Sequence, residues 1–107
     1  MISTHILDTS KGNPAAGIPV KLQIKNAGGW KDVASGTTNA DGRHAFDGET
    51  AKGVYQIIFE VGAYLKGSSG DFFYESIPVV FKIENTQRKY HVPLLLNPFG
   101  YSTYRGS

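Results

Sequence analysis

Residues 89–107 read KYHVPLLLNPFGYSTYRGS, and the alternation inside this stretch decides the fold. Tyr90, Val92, Leu94 and Leu96 fall on one face of an extended chain, a natural core face, while His91, Pro93 and Leu95 fall on the other. Asn97-Pro98 breaks the strand, and Phe99 to Arg105 reads as its return. A solvated sheet carries polar residues outward, whereas this outward face holds a proline and a leucine beside the histidine. Such a face is expected to be covered, most economically by another copy of the chain. The stretch stays aromatic and glycine-punctuated to its last residue, so the C-terminus is expected to be placed rather than frayed. Tyr104-Arg105-Gly106-Ser107 gathers a phenol, a guanidinium, a hydroxyl and a terminal carboxylate around one glycine, whose freedom lets the last residue curl back towards a ligand.

The same period of two recurs outward along the chain. Residues 2–8 put Ile2, Thr4 and Ile6 on one face and Ser3, His5 and Leu7 on the other. Val20, Leu22 and Ile24 alternate with Lys21, Gln23 and Lys25, and Gly28-Gly29 turns the chain into a strand from Trp30 to Thr38. Asn39-Ala40-Asp41-Gly42 is a turn that delivers Arg43 and His44 at the start of a short strand. Tyr55, Ile57, Phe59 and Val61 share a face, and Ile77 to Glu84 is a further strand with Pro78 near its start. Residues 62–76 read equally as an irregular loop or as a short helix around Ala63 to Lys66 ended by Gly67. Seven or eight short strands that must bury their inner faces make a β-sandwich, one all-β domain over residues 1–107.

Bulk composition excludes several function classes. The chain has 107 residues, 40% hydrophobic and 19% charged, which is ordinary for a folded domain rather than a disordered one. It has no cysteine, so no disulfide, thiolate metal site or thiol nucleophile. A net charge of +2 with scattered basic residues makes no nucleic-acid footprint. No apolar run approaches the ~20 residues that span a bilayer. The opening MISTHILD lacks a basic region, an apolar stretch and a cleavage site, so the cytoplasm is the expected compartment.

Three histidines are present, none at a metal-ligand spacing, so neither a metal nor another cofactor is expected. His5 and His91 both project away from the core and suit general-base work, because imidazole titrates near neutrality. On pattern alone each reads more readily as a surface histidine on a strand. Arg43 would hold a planar, carbonyl-rich ligand by forked hydrogen bonds; taken alone it is a solvated hairpin-end arginine. His44 alternates away from Arg43 and reads as structural.

Three stretches carry a resemblance beyond pattern: THILDTSKGNPAAGIPVKL at residues 4–22, Asp41-Gly42-Arg43, and YHVPLLLNPFGYSTYRGS at residues 90–107. Together they span nearly the whole chain and resemble the 5-hydroxyisourate hydrolases, the transthyretin-like enzymes of purine breakdown. The terminal YRGS is the feature that separates those enzymes from transthyretin itself. The resemblance implies a sandwich of two four-stranded sheets with one short helix. It also implies a homotetramer, a dimer of dimers, with active sites at the dimer–dimer interface. By the same resemblance His5, Arg43, His91 and Ser107 are catalytic, Tyr104, Arg105 and Gly106 bind substrate, and hydrolysis needs no metal. A carrier of small aromatic ligands on the same fold is the rival reading.

Overall fold

Strand β1 (Ile2–Asp8) shows a buried residue at every second position: Ile2, Thr4, Ile6 and Asp8 point inward, and Ser3, His5 and Leu7 lie half-buried on the other face. In the computed structural model, which describes residues 1–106, β1 is central to one of two sheets. It pairs in parallel with β8 (Tyr90–Asn97) and antiparallel with β2 (Asn13–Pro14) and β5 (Arg43–Phe46). The short strand β9 (Gly100–Thr103) completes that sheet on the far side of β8. The other sheet runs in the order β4 (Gly29–Thr37), β3 (Pro19–Asn26), β6 (Gly53–Phe59), β7 (Ile77–Ile83). Both sheets are four positions wide, as expected. The first has five strands because β2 and β5 share one edge, β2 against Leu7 and Asp8, β5 against Ile2 to His5.

The inward faces meet in one apolar core that includes Ile6, Ile57, Phe59, Leu94 and Leu96, all fully buried. Each such burial stabilises the fold by about 2 kcal/mol. The outward faces of the two sheets differ. Across the β4–β3–β6 sheet, Gln56 Nε2 donates to Gln23 Oε1 (2.7 Å) and Gln23 Nε2 donates to Asp32 Oδ1 (2.8 Å), a polar ladder suited to water. The β1–β8 sheet instead presents the half-buried Leu7 and Leu95 one row beyond its histidines. Among the described residues no helix is long and apolar enough to cross a membrane.

The segment after β6 is a helix, α1 (Gly62–Ser69), and it does not end at Gly67. It continues to Gly70, whose φ of 86° lets its N–H reach back to the carbonyls of Leu65 and Lys66. A glycine inside a helix costs about 1 kcal/mol relative to alanine, which packing here offsets: Leu65 is buried and Tyr64 donates to Asp8 Oδ2 (2.8 Å). The last strand is likewise shorter than Phe99 to Arg105, since Phe99 N–H is taken by Asn97 Oδ1 and the chain leaves the ladder after Thr103.

Asp8, fully buried at the end of β1, ties that helix to the sheet. Burial alone would raise its pKa, but hydrogen bonds from the Ser10 and Tyr64 hydroxyls and the Lys11 and Ser10 amides together hold it below the usual aspartate value. A carboxylate with a depressed folded pKa stabilises the fold above its unfolded pKa, and that contribution fades as pH falls through the folded one. Asp8→Ala removes the charged acceptor of the Ser10 and Tyr64 hydroxyls and is expected to cost about 2 kcal/mol, lowering the melting temperature by on the order of 10 °C. The deficit should shrink at acid pH, where the wild type loses the same contribution. A melt matching wild type at neutral pH would contradict this reading.

Candidate active site

The register of the first sheet gathers the polar residues of its outward face. His5 pairs with Arg43 on β5 and with Pro93 on β8, and Ser3 pairs with His91. Directly paired residues stand about 5 Å apart and their side chains share a face. His5, Arg43 and His91 therefore lie together, brought there by strands 38 and 86 residues away from His5 in sequence.

Local chemistry sets Arg43. The Asn39 side chain accepts hydrogen bonds from the amides of Asp41 (2.9 Å) and Arg43 (3.0 Å), closing the turn. Gly42 adopts φ 74° and lies so close to β1 that a Cβ there would sit 2.5 Å from the Ile6 carbonyl oxygen. Its own carbonyl accepts from Ile6 N–H (2.8 Å), which fixes the strand start against β1. His44 faces the other way, its ring edge-on to Phe46 (4.7 Å between centroids) and against Gly36 of β4.

His91 is the most constrained member. Its Nδ1 lies 2.8 Å from Ser3 Oγ, and its carbonyl accepts from Gly106 N–H (2.8 Å), an isolated bridge that brings the tail over β8. Gly106 is not at positive φ. Space rather than conformational freedom requires glycine there, since a Cβ would come within 2.6 Å of His91 Cδ2. The His91 pKa lies below the ordinary imidazole value. Burial is the main cause, the positive charges of Arg43 and His5 add to it, and the Ser3 main chain partly offsets them. His91 is thus held neutral and able to accept a proton near pH 7.

Arg43 and His91 border a recess of about 470 Å³ whose walls also include Ser3, Asn39, His44 and Lys89, while His5 stands beside it and does not line it. Its lining contains cations but, among the described residues, no carboxylate. Such a recess favours an anionic or carbonyl-rich ligand. No group of three His, Cys, Asp or Glu side chains that could hold a metal ion occurs among the described residues. Lys89 and Ser3 were not picked out by motif, although strand phase carries the signal: 89 is in step with 91, and 3 with 5.

Tyr104 and Arg105 lie elsewhere in the single chain. They line a second recess of about 500 Å³ beside β7, with Val79, Phe81 and Tyr90. The chain leaves β9 at Thr103 on the β7 side and returns to His91 only at Gly106, so the two preceding side chains stay outside the histidine recess. Tyr104 is 57% exposed. Ser107 lies outside the described residues.

Comparison with known proteins matches the HIUase/Transthyretin family over residues 2–106. The chain is 44% identical to the 5-hydroxyisourate hydrolase of Salmonella dublin, covering all of this chain and 81% of that one. The structure of Klebsiella pneumoniae 5-hydroxyisourate hydrolase superposes with a TM-score of 0.86 at 36% identity, covering 99% of this chain and 98% of that one. Sea bream transthyretin, solved in complex with thyroxine, superposes with a TM-score of 0.91 at 35% identity over 98% of this chain and 93% of that one. Backbone likeness alone therefore does not separate enzyme from carrier; the site residues must.

Proposed function

The chain belongs to the HIUase/Transthyretin family, and from that premise we propose that it hydrolyses 5-hydroxyisourate at the recess beside His91. The observation that carries this reading is the cluster of His5, Arg43 and His91 on one outward sheet face, with His91 held neutral. The relatives named 5-hydroxyisourate hydrolase at up to 44% identity over the full chain support the substrate.

The reaction opens the six-membered ring of a cyclic amide. His91 takes a proton from water, whose oxygen adds to the ring carbonyl; Arg43 stabilises the negative charge that develops there. The ring C–N bond then breaks and the freed nitrogen takes the proton that His91 accepted from water, with His5 assisting its departure. The product is 2-oxo-4-hydroxy-4-carboxy-5-ureidoimidazoline, a step of urate degradation, and no metal is needed. Tyr104, Arg105, Gly106 and Ser107 contribute to the substrate wall, Tyr104 and Arg105 through a neighbouring copy in a homotetramer built as a dimer of dimers. Support for that assembly comes from the outward face itself, where the half-buried Leu7 and Leu95 contrast with the polar ladder of the other sheet.

The pH profile tests the role of His91. The base works when neutral, and its pKa is lowered, so kcat/KM should stay level to below pH 6.5 and then fall about tenfold per unit. Arg43→Gln removes one of the charges that depress this pKa. Its lower plateau should therefore carry an acid limb displaced upward, towards the ordinary imidazole value. A limb that stays in place or moves down in Arg43→Gln would contradict the assignment.

A further inference from the structure

Three of the edges of the His91 ring are accounted for by the chain itself. The tail closes over the Cδ2 edge, where only a glycine at 106 fits. The Nδ1 edge meets Ser3 Oγ at 2.8 Å. The side chain enters through Cγ from β8. What is left is the Cε1–Nε2 edge, and His91 borders the recess.

Building on the hydrolase reading, we propose that Ser3 is a positioning residue that accepts a hydrogen bond from His91 Nδ1–H, fixing the tautomer whose bare Nε2 is the base. A hydroxyl can donate or accept, so the partner alone does not choose the tautomer. The open edge does: a base acting on a ligand in the recess needs its bare nitrogen at Nε2, so Nδ1 carries the proton and Ser3 Oγ, 2.8 Å away, accepts from it. The charged and titratable groups around the ring and its recess are His5 on β1, Arg43 and His44 on β5 and Lys89 ahead of β8. Among the described residues the hydrogen-bond partner of Nδ1 is Ser3 Oγ, which leaves Ser3 to accept from Nδ1–H. In chain order Ser3 stands two residues before His5, so one strand supplies both a second histidine and the support for the first.

Ring ¹⁵N chemical shifts of the full-length protein, read above the His91 pKa and assigned against His91→Asn, report the tautomer without any substrate. Wild type is expected as the Nδ1–H form. Ser3→Ala should raise the Nε2–H population and lower kcat by about tenfold, less than loss of a whole general base because part of the population keeps the bare Nε2. KM and the melting temperature should change little, and Ser3→Thr should restore both tautomer and rate. A wild-type Nε2–H form, a tautomer indifferent to Ser3→Ala, or a shifted tautomer with unchanged kcat would each overturn the proposal. If the tautomer responds to Ser3 while wild type leaves 5-hydroxyisourate untouched, the hydrolase reading fails and the hold of Ser3 on His91 stands.

Discussion

Replacing His91 with asparagine is expected to leave a folded chain whose kcat/KM for 5-hydroxyisourate falls by roughly 10²–10⁴-fold, the contribution of a positioned general base. The fold should survive because His91 is only half-buried and its side chain adds nothing to the core, which Tyr90, Val92, Leu94 and Leu96 fill from the other face of β8. Its main-chain pairing to Ser3 and Gly106 is kept in the variant. The residual rate should lose the acid limb seen in wild type, since the titrating group is gone. Steady-state rates with a thermal melt on the same preparation check both halves. A variant that retains wild-type turnover would remove His91 from the mechanism.

The second large effect is expected at Gly106. Valine there pushes its side chain into the space of His91 Cδ2, so either the tail lifts off β8 or the ring turns away from Ser3. Both displace the base, and a misplacement of about 1 Å can cost on the order of 10²-fold in rate. Loss of the single Gly106–His91 main-chain bond should cost only about 1 kcal/mol of stability. Removing residues 104–107 altogether should give the same outcome, a stable sandwich without turnover. Full activity in either protein would refute the role assigned to the tail.

Much of this site was legible from local pattern. Alternation along residues 2–8 and 90–96 is strong enough to place His5 and His91 outward, because a one-residue slip would bury them in place of Ile6 and Val92. The Asp41-Gly42 turn likewise announces Arg43 at a strand start. What strand phase cannot supply is which strands are neighbours. The parallel pairing of β1 with β8 joins the two ends of the chain, and the Ser3–His91 contact exists only through that register. The burial of Asp8 was hidden for a similar reason, since its partners Tyr64 and Ser68 lie more than fifty residues on, in a helix whose extent a mid-helix glycine obscured. The tail is placed as far as Gly106, but the path that sends Tyr104 and Arg105 to a different recess from Gly106 depends on where β9 leaves the sheet.

The fold is shared with a protein solved with thyroxine and with a 5-hydroxyisourate hydrolase, so the central claim is catalysis rather than binding. The direct measurement is the ultraviolet absorbance of freshly generated 5-hydroxyisourate, in large excess over protein and after exhaustive chelation, beside a protein-free control. A hydrolase with the chemistry described consumes the whole excess faster than the spontaneous decay, at a rate proportional to protein. A carrier would shelter at most one equivalent per site and leave the bulk decay at the control rate, and that result would contradict the account.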